Sequence, residues 1–454
     1  MRELLYKIYH VLPKSIRYGR KYATEYNKVY NGLKRSEYYN KEQLDALQFR
    51  ELRKIVQYAY KKVPYYTELF DKLNLDVMGD FSLELFKKIP YLTKDIVRKN
   101  TEDLISKDFQ KSDLVAHSTG GSTGEPCVFY YEKDIAEARE YAFVQHLYDR
   151  VGYKDDDSKV YFRDFSSDKI TPSANVYWYK KTGEPTWWFS VRFLDENRMD
   201  FYIKQLIGIN PMWIVGYPSA INTFCTYVKG INAHLGLNKL KGVILMSENV
   251  YSYQLQNIKD VFGKCNKELR LFSAYGHTEH GCIAGTCEKE FVYHIQPEYG
   301  YCEFDNGELI ATGFTNYAMP LIRYRTQDLF TLSDAKCECG RHYQLIASID
   351  GRTDDVLVHS DGRYENANTL DFTRGRLAEL IDMLLRYQFI QYKKGECIMR
   401  IIAKKVITED QLKELEKEIN QYFGETLHVA IEKAEKPILG KSGKERLIIN
   451  KSNR

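Results

Sequence analysis

Apolar residues between Lys41 and Asn100 recur mostly at three- and four-residue steps, which predicts a run of helices. Two interruptions are expected, at Val63-Pro64 and Ile89-Pro90, because proline disfavours helix in the residue before it. Further upstream, Leu4, Leu5, Ile8, Val11 and Leu12 share one face, so the start of the chain reads as a short amphipathic helix. The middle changes period. Val160–Phe162, Trp213–Val215, Val243–Met246 and Leu269–Phe272 read as buried strands separated by longer helical patterns, the signature of βαβ units and a mainly parallel sheet. From about residue 300 the segments shorten around turn signals such as Asp305-Asn306-Gly307 and Asp361-Gly362. The tail reads as a strand–helix–strand module beginning just past Gly351. Cys397–Ala403 is strand-like, Thr408 and Gln411 form a capping box ahead of Leu412, Leu415, Ile419 and Tyr422, and β character resumes at Leu427–Ile431. The pattern predicts an α/β protein with two domains. Residues 1–353 would form a large domain of mixed or parallel sheets and helices, mostly helical over 1–100. Residues 354–454 would form a small α+β domain.

Composition narrows the class. The 454 residues are 44% apolar and 28% charged, so a substantial core can form. Lys and Arg total 66 against 62 Asp and Glu, too small an excess to point to nucleic acid. Nine cysteines, an odd number, do not describe a disulfide scaffold, and they favour a reduced, cytoplasmic setting. There is no apolar run of 18 residues to span a membrane and no apolar signal-peptide core at the start. Charge is uneven, however. Residues 1–35 carry nine Lys/Arg and two acids, so a peripheral membrane contact there is the sharp reading and a solvated helix packed on the domain the bland one.

Four motifs carry chemistry. Ser118-Thr119-Gly120-Gly121-Ser122-Thr123-Gly124 has the glycines that let backbone N–H groups close on an anion and hydroxyls that add donors, so a polyphosphate is its natural guest. It is not a Walker A loop, since no lysine follows. Ser273-Ala274-Tyr275-Gly276-His277-Thr278-Glu279 follows a predicted strand, where open α/β sheets place ligands, and Glu279 is a hard oxygen ligand suited to Mg²⁺. Tyr324-Arg325-Thr326-Gln327-Asp328 reads as a loop whose Asp could accept ribose hydroxyls, and Gly351-Arg352 offers a phosphate partner. Gly440-Lys441-Ser442-Gly443-Lys444-Glu445-Arg446 puts a lysine on a glycine-flanked loop. Each alone has an ordinary reading as a turn, a surface ion pair or a solvated tail.

In this order the four resemble the adenylate-forming superfamily, and within it the phenylacetate–CoA ligase family with its capsular-polysaccharide CapK branch. Tyr58-Ala59, Val63-Pro64-Tyr65-Tyr66, Ile89-Pro90-Tyr91-Leu92-Thr93-Lys94, Gly216-Tyr217-Pro218-Ser219 and Ser247-Glu248 fit as well, and the resemblance runs from about residue 45 to 451. It implies a large domain with a mobile C-terminal one, and a two-step reaction: a carboxylate attacks the α-phosphate of ATP, then a second nucleophile displaces AMP. Ser118–Gly124 would grip the β,γ-phosphates, Thr278 the α-phosphate and Glu279 the Mg²⁺. Tyr275 and Gly276 would line the adenine and acyl pocket, Asp328 would take the ribose hydroxyls, and Arg352 would reach ribose or phosphate. Asp354 would be the hinge and Lys444 the lysine that bridges carboxylate and α-phosphate. Two departures are visible: Gln327 stands where the family has Gly, and the tail reads Gly-Lys-x-Arg, which leaves CoA, an amine or a hydroxyl open as acceptor.

Cys337-Glu338-Cys339, with Cys287 and His294 upstream, could supply a closed, structural tetrahedral Zn²⁺ site, with Cys282 and Cys302 as competing ligands and buried free thiols as the plain alternative. Some members of this ligase family resemble this arrangement. Three functions are therefore weighed: an adenylate-forming ligase (with an amide ligase joining an amine to a sugar acid as a variant), a non-catalytic polysaccharide-assembly protein, and a glycosyltransferase. Glu279, Asp328, Arg352 and Lys444 speak against the second, and the loop at 118–124 is unexplained by the third. Nothing in the chain sets an oligomeric state.

Overall fold

The computed structural model describes residues 18–119, 127–165, 169–352, 355–367, 369–370, 372, 375–440 and 443–452. The expected helix over residues 4–12, loop residues Gly120–Gly124 and hinge residue Asp354 lie outside the described residues. The chain forms two compact units, one containing the described residues through Lys154 with Ala274–Ser348, the other containing Asp155–Ser273 with Ile349–Arg454. Among the described residues no helix is long and apolar enough to cross a membrane.

The first unit begins with helices Arg20–Ser36, Lys41–Lys62 and Pro64–Lys72. Asn40 starts the second by a reciprocal capping box: its carboxamide accepts the Gln43 N–H at 2.9 Å and the Gln43 side chain accepts the Asn40 N–H at 3.0 Å. Val63 ends that helix in an extended conformation, and Pro64 opens the next at the position where its missing N–H costs nothing. Leu52, Ile55, Val56, Tyr66 and Phe70 then pack with Phe129, Met319, Ile322 and Tyr324 in one core. The buried Tyr66 hydroxyl donates to the Pro320 carbonyl at 3.1 Å and accepts the Ile322 N–H at 3.0 Å, so helix and sheet segments 256 residues apart share one hydrogen-bond node.

Strands in this unit pair antiparallel. Leu114–Thr119 pairs with Cys127–Glu132, Gly300–Asp305 with Glu308–Gly313, and Tyr293–Ile295 with Ile283–Thr286. Asn306 and Gly307, at φ of 50° and 82°, make the two-residue turn that the sequence signals.

The second unit has the predicted parallel texture. Lys159–Arg163 runs parallel to both Thr186–Ser190 and Trp213–Gly216, and the latter parallel to Gly242–Met246. Helices Met199–Ile209, Pro218–Gly230 and Ser252–Phe262 punctuate the series. Gly242 permits the close spacing: a Cβ there would stand 2.3 Å from the Arg270 carbonyl oxygen and 2.6 Å from the Trp213 ring. The mainly parallel expectation therefore holds for this stretch and not for the first unit, where short connections leave no room for crossover helices.

At the C-terminus, Glu396–Ala403 pairs parallel with His428–Lys433, and between them the helix Glu409–Phe423 is capped by Thr408 and Gln411 as expected. The strand–helix–strand reading omitted two strands. Leu384–Lys393 pairs antiparallel with Glu396–Ala403, and Ile448–Asn450 parallel with Leu384–Lys393. Leu380, Phe389, Met399, Leu415, Ile419 and Val429 form the core beneath this sheet.

Tyr66→Phe keeps the ring and strands two buried backbone groups, so thermal unfolding should show a loss of about 1–3 kcal/mol per group left unpaired, whereas Tyr38→Phe, at an exposed ring, should change nothing measurable.

Candidate functional site

In the first unit the motif at 273–279 is more strand than turn. The strand Arg270–Gly276 continues past Phe272, with Ala274, Tyr275 and Gly276 in register with Gly285, Ala284 and Ile283. The turn begins at His277. Tyr324–Asp328, expected as a loop, lies at the start of strand Tyr324–Ser333. What disturbs that strand is Gln327. Its φ is +66°, and the register slips, Ile310 facing Arg325 while Glu308 faces Leu329. Side chains absorb the slip: Glu308 accepts the Gln327 N–H at 3.1 Å and Thr326 Oγ1 accepts the Asp328 N–H at 3.1 Å. A left-handed residue here explains why a glycine suits the position. Gln327 keeps the backbone shape and adds a carboxamide 3.4 Å from Lys94 Nζ.

The slip and the strand end bring the predicted residues of this unit together. Asp328, 7% exposed, accepts the Tyr275 hydroxyl at 2.6 Å. Glu279, also 7% exposed, accepts the Tyr324 hydroxyl at 3.0 Å and meets His277 Nδ1 at 3.1 Å. Tyr131 donates to the Thr278 carbonyl. Burial alone would raise the Glu279 carboxyl, but the hydrogen bond and charge of His277, its own backbone N–H and Lys94 outweigh it and hold the group at about 2. Glu279 is thus an anion at any working pH, as a hard-cation ligand must be. Its contribution to stability is complete above the ordinary carboxyl value and is lost only as pH falls through about 2. His277, Tyr324 and Tyr131 had no assigned role in the sequence; a hydroxyl or imidazole two residues from a buried acid, or across the sheet from it, was the only signal. Ser118 is exposed near the end of strand Leu114–Thr119, opposite Val128.

In the second unit, Arg352 ends strand Leu345–Arg352, a strand rather than the expected loop. Lys444 follows Gly443, which has φ +73° and lies so close to Asp164 that a Cβ would stand 2.6 Å from the Asp164 Cβ. Asp164 is itself fixed by Arg192 through two bonds of 2.7 and 2.6 Å. Partial burial lowers the Lys444 pKa first; Glu248 opposes this, and Arg163, Arg352 and Arg446 lower it further. Three arginines and one carboxylate therefore act on the Lys444 ammonium. Arg446 also bonds Asp355 at 3.0 Å, and Arg163 stacks over the Tyr217 ring with its guanidinium 5.5 Å from the centroid. Arg163 and Glu248 were not assigned roles from sequence.

The thiolate cluster lies in the first unit. The candidate ligand atoms of Cys287, His294, Cys337 and Cys339 all lie within 4.8 Å of one another. Cys337 and Cys287 sulfurs are 3.4 Å apart, and the Cys339 sulfur is 4.0 Å from His294 Nε2. Four ligands at Zn–S and Zn–N distances of about 2.3 and 2.0 Å would stand at comparable separations, so the donor set fits that ion. Burial, then Arg150 and Arg341, depress His294 to about 3, keeping its imidazole neutral and ready to ligate. Cys282 interacts instead with Cys302. Beside the cluster Arg341 bonds Glu37 at 2.7 Å and Glu288 at 2.9 Å.

Comparison with known proteins places these sites in context. Residues 371–451 match the family model described as the CapK C-terminal domain. The chain is 26% identical over 416 residues to protein CapK of Staphylococcus aureus, covering 90% of this chain and 89% of that protein. It is 24% identical over 350 residues to a phenylacetate-coenzyme A ligase of Thermus thermophilus, covering 70% and 72% respectively. Among solved structures, a 2-hydroxyisobutyryl-CoA ligase in the postadenylation state in complex with 2-HIB-AMP shares the fold, with a TM-score of 0.65 at 16% identity over 92% of this chain and 91% of that one. The same ligase with CoA in the thioesterification state matches with a TM-score of 0.57. The C-terminal domain model, the relatives and the shared fold all support the likeness to the phenylacetate–CoA ligase family and its CapK-like branch that the motifs carry.

Proposed function

We propose that this protein is an ATP-dependent, AMP-forming ligase that activates a carboxylic acid as an acyl-adenylate and passes it to CoA or another nucleophile. The observation that carries the reading is the convergence of Lys444, Arg163, Arg352 and Arg446 on a locus with Glu248 as the opposing acid. Cations gathered near one half-buried lysine favour an anionic guest, and a triphosphate is such an anion. In the first step a carboxylate oxygen attacks the α-phosphorus and pyrophosphate leaves. In the second, a sulfur, nitrogen or oxygen nucleophile attacks the acyl carbon, AMP leaves, and the nucleophile's proton passes to solvent. Lys444 would bridge the carboxylate and α-phosphate, offsetting the repulsion between two anions brought into line. Arg352 would reach ribose or phosphate. Ser118–Gly124 would grip the β,γ-phosphates, Thr278 would hold the α-phosphate, and Asp328, beside the Tyr275 ring, would take the ribose hydroxyls. Gly276 would leave room at the adenine edge, and Asp354 would be the hinge of a small C-terminal domain.

Mg²⁺ suits this donor set. Glu279 is held ionised and could share the ion with substrate phosphates, whose charge the metal neutralises when bound. The CoA ligases among the relatives support CoA as acceptor, and the likeness to CapK supports a place in capsule or exopolysaccharide synthesis, where an amine or hydroxyl of a sugar acid would serve instead. The four-ligand thiolate cluster we assign to a structural Zn²⁺.

Two measurements follow. Carboxylate-dependent pyrophosphate release from ATP, assayed over aryl, fatty, amino and uronic acids, should be found for at least one class. Lys444→Ala should lower it at least about 100-fold, the loss typical of removing one transition-state stabiliser, while acyl transfer from supplied adenylate stays largely intact; equal loss in both steps would overturn the lysine's assignment. Elemental analysis of protein prepared without chelators should give about one zinc per chain, falling below half an equivalent in Cys339→Ser with a lower melting temperature. A metal-free wild-type protein would refute the zinc assignment.

A further inference from the structure

Glu248 stands at a strained corner of the second unit. It follows strand Gly242–Met246 through Ser247, a non-glycine residue at φ +69°. A left-handed serine stores strain that surrounding contacts must hold in place. The corner aims the Glu248 carboxylate at two backbone donors far apart in sequence. Oε2 accepts the Ser219 N–H at 3.1 Å, in the first turn of helix Pro218–Gly230, where the helix dipole favours a negative group. Oε1 accepts the N–H of Glu445 at 2.8 Å, the residue directly after Lys444. Around it, the loop is fixed at further points. Glu445 pairs with the buried Arg386 at 2.9 Å, Arg446 with Asp355 at 3.0 Å, and Gly443 closes on Asp164.

We infer that Glu248 is the positioning residue for Lys444: one carboxylate clamps the lysine's loop, through the Glu445 amide, to the N-terminus of the helix that begins at Pro218. This rests on the adenylating role given to Lys444 above and deepens it. The clamp acts on the main chain, so it fixes where the lysine's backbone lies whatever the side chain reaches for. It is also a bond that must break whenever Lys444 leaves.

The groups facing Glu248 are Ser219, Glu445 (with Arg386 behind it), Tyr251 and Lys444 (with Arg163, Arg352 and Arg446 around it). Loss of water around the carboxyl raises it to about 7, against the Ser219 and Glu445 donors.

Hydrogen–deuterium exchange on the full chain reads the clamp without any substrate. In Glu248→Ala the peptide containing Glu445 should exchange about 10- to 100-fold faster, the range expected for losing a hydrogen bond to a charged group, with the peptide containing Tyr66 unchanged. In the isosteric Glu248→Gln, which cannot accept both N–H groups, the Glu445 peptide should exchange faster than wild type. Unchanged exchange at Glu445 in both variants overturns the inference. Lys444→Ala separates it from the catalytic reading: with the side chain gone the Glu445 amide should remain protected. If the exchange pattern appears as expected while Lys444→Ala leaves pyrophosphate release untouched, the clamp stands and the adenylation role falls.

Discussion

Gathering guanidinium and ammonium groups at one place is electrostatically unfavourable, and the second unit has to offset that repulsion with contacts that do not themselves need an anion. At an effective dielectric constant near 20, each pair of like charges a few ångströms apart opposes assembly by a few kcal/mol. The contacts that hold Lys444 in spite of this are mostly main-chain and steric: the Glu445 amide on Glu248, the Gly443 backbone against Asp164, and the Glu445–Arg386 pair beneath. The lysine therefore stays near Arg163 and Arg352 because its neighbours in sequence are fixed, and its own charge remains available for a ligand.

The first unit meets a different constraint with similar means. Glu279 and Asp328 are acids taken almost wholly out of water, which is tolerable only when each is hydrogen-bonded. Tyr324 and His277 serve one, Tyr275 the other. These partners also fix the rotamers, so both carboxylates are oriented before anything binds. Orientation set in advance removes part of the entropic cost of binding and reaction.

Much of this was legible in the chain. The helix breaks at Pro64 and Pro90, the parallel strands from Val160 to Met246, the capping box at Thr408 and the family likeness all rest on local residue patterns. Other features depend on contacts between distant residues. Leu384–Lys393 was missed because its apolar run has no clean alternation and its partners come later in the chain. Tyr275 and Asp328 were read as turn and loop residues because Gly276 and Gln327 suggested irregular backbone; pairing with neighbouring strands overrode the local signal, and only Gln327 kept a left-handed conformation. Glu248 gave no sign of its reach toward Glu445, 197 residues away, since a backbone amide leaves no mark on residue type. That Cys287, His294, Cys337 and Cys339 lie together while Cys282 lies with Cys302 was likewise visible only in space.

Arg341, two positions after Cys339, closes on Glu37 across 304 residues of chain. Such a span cannot be bridged until Arg341 has been synthesised and has left the ribosome. The helix ahead of Glu37 has an earlier partner as well, since Tyr22 and Tyr26 pack with Ala138 and Ala142. Contacts of such separation also slow folding. The early helical segment is then secured in two stages, first against Ala138 and Ala142 and only later, through Glu37, by Arg341.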